Sequence, residues 1–199
     1  MEILDVLDEN GNYTGKTEER KIVHESGLWH IHVGVWIMNK KGELLFQKRS
    51  MQKKVNPGKW TRTGGHVDSG ETPLEAVQRE TAEEIGVKIP IDNFKLLSIS
   101  KEEVDIPKYQ VTNRHFIYSY IAIVDYNLED YTMQQEEVSD LKYITIEQME
   151  EAYKNKDENY TFIRWKNIDN VIEELKKIRK LQLSKKFEKK KQKEGFNLK

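Results

Sequence analysis

The sequence predicts an α/β fold in which a mixed central sheet lies between helices as an α/β/α sandwich, and three observations carry that reading. Apolar stretches rich in Val, Ile, Trp and Phe recur at residues 2–7, 28–38, 44–49, 94–100 and 115–124, with the partial alternation of strands. A strongly punctuated helical pattern occupies residues 73–85, and two further helical patterns follow at 145–154 and 168–183. A chain of 199 residues is long enough for one sizeable core plus a small accessory element.

In chain order, the strand at 2–7 runs into Asp8-Glu9-Asn10-Gly11-Asn12, where Asn-Gly is a hairpin signal. Residues 17–24 read as a short helix ending near Gly27. Residues 28–38 and 44–49, joined through Asn39-Lys40-Lys41-Gly42, make a central hairpin. A polar loop with Pro57 and Gly58 precedes a short strand at 59–63. After the helix at 73–85 come the strands at 94–100 and 115–124, separated by a charged loop at 101–114 that carries Pro107, Tyr109 and Arg114. A strand around 141–144 and the two later helices complete the chain.

The helix at 73–85 is the most informative element. Thr72 can cap it, Pro73 suits its first turn, Glu75 completes a Thr-x-x-Glu capping box, and Gly86 supplies the stop. At about 100° per residue, Leu74, Val77, Thr81 and Ile85 form a docking stripe, while Glu80, Glu83 and Glu84 gather on an adjoining face and are expected to point away from it. Like charges so placed repel by a few tenths of a kcal/mol per pair. A hard divalent cation would compensate, since Mg²⁺ is held by a few carboxylates together with substrate phosphate oxygens. A solvated acidic face balanced by Arg79 is the competing explanation. The preceding loop favours the metal: Gly64-Gly65 lets backbone approach a ligand closely, Gly70 permits a tight turn, and Glu71 adds a charge beside Arg79.

Gly65, five residues, Glu71, seven residues, then Arg79-Glu80-x-x-Glu83-Glu84-x-Gly86-Val87 resembles the Nudix box of the Nudix hydrolases. Thr81 stands where the family usually has an aliphatic residue, and Thr63 where many members have Pro; neither is a ligand position. Upstream, Gly27-Leu28-Trp29-His30, the segment 33–37, Gly42-Glu43-Leu44-Leu45-Phe46-Gln47-Lys48-Arg49 and Asn56-Pro57-Gly58-Lys59-Trp60 are similar to a Nudix branch sharing its architecture with isopentenyl-diphosphate isomerase. Downstream, Gln135-Glu136-Glu137-Val138 resembles a loop from which some members recruit another glutamate. The resemblance covers roughly residues 1–165, taken as the Nudix domain with an N-terminal strand extension, and leaves 166–199 as a C-terminal helix and basic tail.

The resemblance implies one to three Mg²⁺ ions, with Mn²⁺ as the alternative, bound by Glu80, Glu83, Glu84 and the carbonyl of Gly64. It implies hydrolysis of a pyrophosphate bond in a nucleoside diphosphate or related nucleotide derivative, with Glu80, Glu136 or Glu137 removing the proton from water. Arg79 and Glu71 are expected to orient helix and loop. Arg49, His66 and Arg114 are the substrate-binding candidates, Arg114 because the loop at 101–114 is of the kind that covers substrate in this fold. His30 and His32 would share a strand face, where packing is expected over metal binding. Trp29, Trp36 and Trp60 are assigned to core or pocket wall.

The isomerases of that architecture depend on an active-site cysteine, and this chain has none. The same absence excludes disulfides, zinc-thiolate sites and thiol nucleophiles. Neither the Ser-Gln-Pro-Trp array of the NADH-cleaving group nor the proline past the box of ADP-ribose hydrolases is present. No apolar run approaches the roughly 18–20 residues of a membrane span, and the acidic N-terminus does not resemble a targeting signal, so a cytoplasmic protein is expected. Residues 179–199 hold nine basic and two acidic residues, a basic arm that reads as a solvated helix extension. Two other functions remain: a nucleotide-sensing module, which tends to lose the box glutamates, and RNA-end processing with the arm on the transcript. The family often forms homodimers.

Overall fold

The computed structural model describes residues 2–109, 111–162, 165 and 167–195; at 109, 111 and 185–195 it describes backbone alone. The described chain divides into two compact units: Met1–Trp36, Arg62–Ala122 and Glu129–Gln134, and then Ile37–Thr61, Ile123–Leu128 and Gln135–Lys199.

In the first unit, β1 (Ile3–Leu7) pairs antiparallel with β2 (Tyr13–Glu19), Ile3 opposite Glu19. The turn between them is held by the Asp8 carboxylate, which accepts from the backbone N–H groups of Asn10 and Asn12 at 2.8 and 2.9 Å. The helix expected at 17–24 starts later, as α1 (Arg20–Glu25). The polar sequence of β2 shows no buried alternation, and its strand conformation comes from backbone pairing with β1 along an exposed edge. β3 (Trp29–Met38) meets β1 with Trp29 opposite Leu7.

Later in the same unit, β6 (Phe94–Ile106) and β7 (Val111–Ile123) form a long antiparallel hairpin running from Phe94 opposite Ala122 to Ile106 opposite Val111. The charged loop expected at 101–114 is thus mostly strand, leaving the turn Pro107–Tyr109. Cross-strand contacts explain why charge did not break it. Arg114 pairs with Glu103 at 2.7 Å, and the Lys101 ammonium lies 4.4 Å from the Trp29 ring centroid and 5.8 Å from that of Phe116.

α2 (Pro73–Ile85) spans the predicted residues. Thr72 Oγ1 accepts from the Glu75 N–H at 3.3 Å, and the Glu75 carboxylate accepts from the Thr72 N–H at 2.9 Å, closing the box reciprocally. Gly86 ends the helix in the left-handed conformation at φ 72°, where an added Cβ would also meet the Thr132 carbonyl at 2.5 Å. Ala76, Val77, Thr81 and Ile85 are buried, and Thr81 fits an aliphatic position because its hydroxyl donates to the Val77 carbonyl at 2.6 Å.

In the second unit, β4 (Leu44–Arg49) pairs antiparallel with β8 (Val138–Ile144) and with the short β5 (Trp60–Thr61), while Met38 at the end of β3 lies opposite Leu44. The registered pairs are antiparallel, and Trp60–Tyr160 adds a parallel bridge. Phe46, Tyr160 and Phe162 cluster with ring centroids 4.9 to 5.6 Å apart, and Leu44, Met149 and Ile168 of the same unit are buried. α3 (Ile146–Lys154) begins with a second capping box, Thr145 with Gln148. α4 (Ile168–Gly195) continues past residue 183, and Arg179 ties it to Glu147 of α3 through two hydrogen bonds. The side chains of the basic arm beyond Ser184, Phe187 included, and residues 196–199 lie outside the described residues. Among the described residues no helix is long and apolar enough to cross a membrane.

Removing the α2 cap tests this local account. Thr72→Ala should lower unfolding free energy by about 1 kcal/mol in urea titration, and Thr72→Ser, which keeps the hydroxyl, should recover most of that loss.

Candidate active site

The site lies wholly within the first unit, where α2 faces the segment Thr63-Gly64-Gly65-His66. That segment runs against β3: the Val35 N–H donates to the Thr63 carbonyl at 2.9 Å, and Val33 and Gly65 exchange bonds of 2.8 and 3.1 Å. In extended backbone the N–H and C=O of one residue point to the same side, and successive residues alternate. Gly64 therefore directs both its polar groups away from β3, and its N–H donates to Glu84 Oε2 at 3.2 Å.

The two glycines make this approach sterically possible. A Cβ on Gly64 would lie 2.2 Å from the Val33 carbonyl oxygen, and one on Gly65 would lie 2.2 Å from Glu80 Oε1. The helix thus packs its carboxylates against bare backbone. The three glutamates consequently differ in environment: Glu84 is buried, the Glu80 side chain is 14% exposed, and that of Glu83 is 54% exposed. Glu84 and Glu80 are largely covered because the glycine segment provides a second surface, besides the docking stripe, that the helix packs on.

Arg79 organises these charges. Its Nε and Nη2 donate to the two oxygens of Glu71 at 3.0 and 2.9 Å, a bidentate pair, while Nη1 donates to Glu80 at 2.9 Å and to Glu83 at 3.2 Å. Nη2 also donates to the His66 carbonyl at 3.0 Å, which ties the helix to the glycine segment. One cation cannot neutralise this many carboxylates. Burial pushes the Glu80 carboxyl up to about 7 despite the opposing charge of Arg79. A carboxyl so placed is stabilised as an anion by further positive charge, and the oxygen donors of Glu80, Glu83, Glu84 and the Gly64 carbonyl suit a hard divalent cation.

Beside this segment, His24 of α1, His30 of β3, His66 and His115 of β7 present ring nitrogens that all lie within 4.8 Å of one another. The sequence assigns His30 to packing and makes His66 a substrate-binding candidate. His66 is instead buried, with Nδ1 3.3 Å from the Glu2 carboxylate and Nε2 3.2 Å from His24 Nε2. Burial lowers the pKa of all four rings, that of His30 to about 4. His24, His115 and Glu2 were missed because no spacing links positions so far apart along the chain. His32 pairs with His66 as an antiparallel bridge and stands outside the group of four.

The remaining candidates have partners of their own. Arg114 lies on β7, not on a loop, where it bonds Glu103 and donates to the Gly27 carbonyl at 3.1 Å. Arg49 and Glu137 belong to the second unit: Arg49 Nε donates to the Val55 carbonyl at 3.0 Å, and Glu137 forms an ion pair with Lys53. Glu136, in the same unit, is exposed. Trp36 is fully buried as expected, whereas Trp29 and Trp60 are half-buried.

Comparison with known proteins accords with this geometry. Residues 28–166 match the NUDIX domain family. The chain is 36% identical over 80% of its length to Nudix hydrolase 3 of Arabidopsis thaliana, of which it spans 21%, and 35% identical over 78% of its length to an uncharacterized Nudix hydrolase of Clostridium acetobutylicum, of which it spans 75%. In fold it is similar to the crystal structure of DR0079 from Deinococcus radiodurans, with a TM-score of 0.61 at 23% identity, covering 86% of this chain and 98% of that one. With glutamates, arginine and glycines in the box spacing, and with these matches over most of its length, the chain belongs to the Nudix hydrolase family.

Proposed function

We propose that this protein hydrolyses the pyrophosphate bond of a nucleoside diphosphate derivative with Mg²⁺, or Mn²⁺ in its place, held by Glu80, Glu83, Glu84 and the Gly64 carbonyl. The observation that carries this reading is the partial neutralisation of the α2 carboxylates: Arg79 bonds Glu71, Glu80 and Glu83, yet Glu80 still sits near 7. Bound at these oxygens, the cation would supply Lewis-acid activation of water and neutralise charge on the diphosphate.

The chain's own groups do the rest. Where the cation is held by Glu83, Glu84 and the Gly64 carbonyl alone, Glu80 is the carboxylate left to take a proton from the attacking water. Arg79, bound bidentately to Glu71 and to the His66 carbonyl, holds the helix at a set distance from the glycine segment and so acts in positioning. Gly64 directs its N–H to Glu84, which keeps that carboxylate from rotating away from the segment. The nucleotide-sensing alternative loses weight because all three box glutamates are retained.

The test is a hydrolysis screen over nucleoside diphosphates, triphosphates, sugar nucleotides and dinucleotides, with product masses locating the broken bond. Mg²⁺-dependent turnover is expected, and Glu83→Gln and Glu84→Gln should each lower it by at least about 10²-fold with the fold intact by circular dichroism. Full activity in either variant would refute the ligand assignment.

The raised carboxyl also predicts a pH effect on stability. Between the ordinary carboxylate range and about 7, the folded state binds a proton at Glu80 that the unfolded chain does not. This contribution is present at low pH and is lost as pH rises through about 7. The buried histidines act in the opposite sense, losing stability as pH falls. The decisive quantity is therefore the difference between wild type and Glu80→Gln: in chelator, wild type should lose on the order of 2 kcal/mol relative to the variant from pH 5 to 8, measured by urea unfolding. A flat difference would contradict the burial account of Glu80.

A further inference from the structure

We propose that His24, His30, His66 and His115 form a second metal site, separate in chemistry from the box, that takes one four-coordinate transition-metal ion of the Zn²⁺ class. The argument begins with hydrogen positions. Leu28 O can only accept, so His30 Nδ1, 2.9 Å away, carries the hydrogen of a neutral ring and its Nε2 presents a lone pair. A carboxylate oxygen likewise only accepts, and the Glu2 carboxylate 3.3 Å from His66 Nδ1 favours the tautomer with its hydrogen on Nδ1 and a lone pair on Nε2. Both lone pairs face His24 Nε2, at 3.3 and 3.2 Å. That atom has at most one hydrogen to offer two acceptors. The buried His115 Nε2 has no hydrogen-bond partner among the described residues.

Polar atoms inside a protein are normally satisfied, and an excess of buried, converging imidazole lone pairs needs an acceptor of electron pairs. The spacing suits one. A tetrahedral ion with metal–nitrogen bonds of about 2.0–2.1 Å places its ligand nitrogens roughly 3.3–3.4 Å apart, close to the two separations from His24. The surroundings match as well, since metal-bound histidines usually donate their other ring N–H to a carbonyl or carboxylate: His30 Nδ1 meets the Leu28 carbonyl, and the Glu2 carboxylate lies 3.3 Å from His66 Nδ1. Arg20 holds Glu2 in turn, with Nη1 2.7 Å from the second carboxylate oxygen.

The donor set discriminates between metals. Four imidazoles with no oxygen among them favour borderline transition ions and disfavour Mg²⁺, which demands oxygen and retains water. The ion would cross-link α1, β3, β7 and the segment bearing Gly64 and Gly65, so its role is to position that segment.

Co²⁺ is the probe. Untagged full-length protein is stripped with chelator and titrated with Co²⁺ in excess Mg²⁺, with bound metal counted by mass spectrometry. The expected result is one equivalent bound with the intense visible bands of four-coordinate Co²⁺, retained in Glu83→Gln and lost in His24→Gln. Glu2→Gln should weaken binding roughly 10–100-fold. Zn²⁺ at a hundredfold excess over its Kd should raise the wild-type Tm by roughly 5 °C or more, a readout that needs no variant to fold. The weak bands of six-coordinate Co²⁺, an unchanged wild-type Tm, or binding lost in Glu83→Gln but kept in His24→Gln would each overturn the proposal.

Discussion

The site depends on one guanidinium. Arg79 meets Glu71, Glu80 and Glu83 and donates to the His66 carbonyl, so a single planar cation links the helix, the loop before it and the glycine segment. Arginine suits this task because its fixed fork of donors can serve several acceptors at once, whereas a lysine ammonium is a flexible point charge. Without it, α2 would carry clustered carboxylates against bare backbone with nothing to offset their repulsion or desolvation. The compensation is incomplete, since burial still pushes the Glu80 carboxyl up to about 7.

Steric allowance is the second constraint. Glu80 and Glu84 can sit against Gly64 and Gly65 only because those positions lack a Cβ, and β3 fixes the same segment from the other side through the Val33 and Val35 bonds. β3 also carries His30, so the strand that supports the glycine backbone supplies part of the imidazole cluster. The carboxylate chemistry and the nitrogen chemistry thus flank one short stretch of chain, and any displacement of that stretch would be felt by both.

Much of this was legible in the sequence where the information is local. The span of α2, its Thr72 and Glu75 box, its Gly86 stop and the grouping of Glu80, Glu83 and Glu84 follow from helical periodicity and capping chemistry acting over a few residues. Reading failed where long-range pairing overrides local preference. β2 is polar along its length and became a strand by pairing with β1; residues 101–106 and 111–114 look like a charged loop and became a hairpin through cross-strand contacts such as Glu103 with Arg114.

By itself, then, the sequence determined the box: its residues are close along the chain, and a helix turns their spacing into a shared surface. Only the tertiary structure decided which of those carboxylates is buried, since that depends on the glycine segment packed against them. It alone brought together histidines from positions 24, 30, 66 and 115. No period or propensity connects such positions, because their meeting point is set by strand register and helix docking, interactions between elements far apart in sequence.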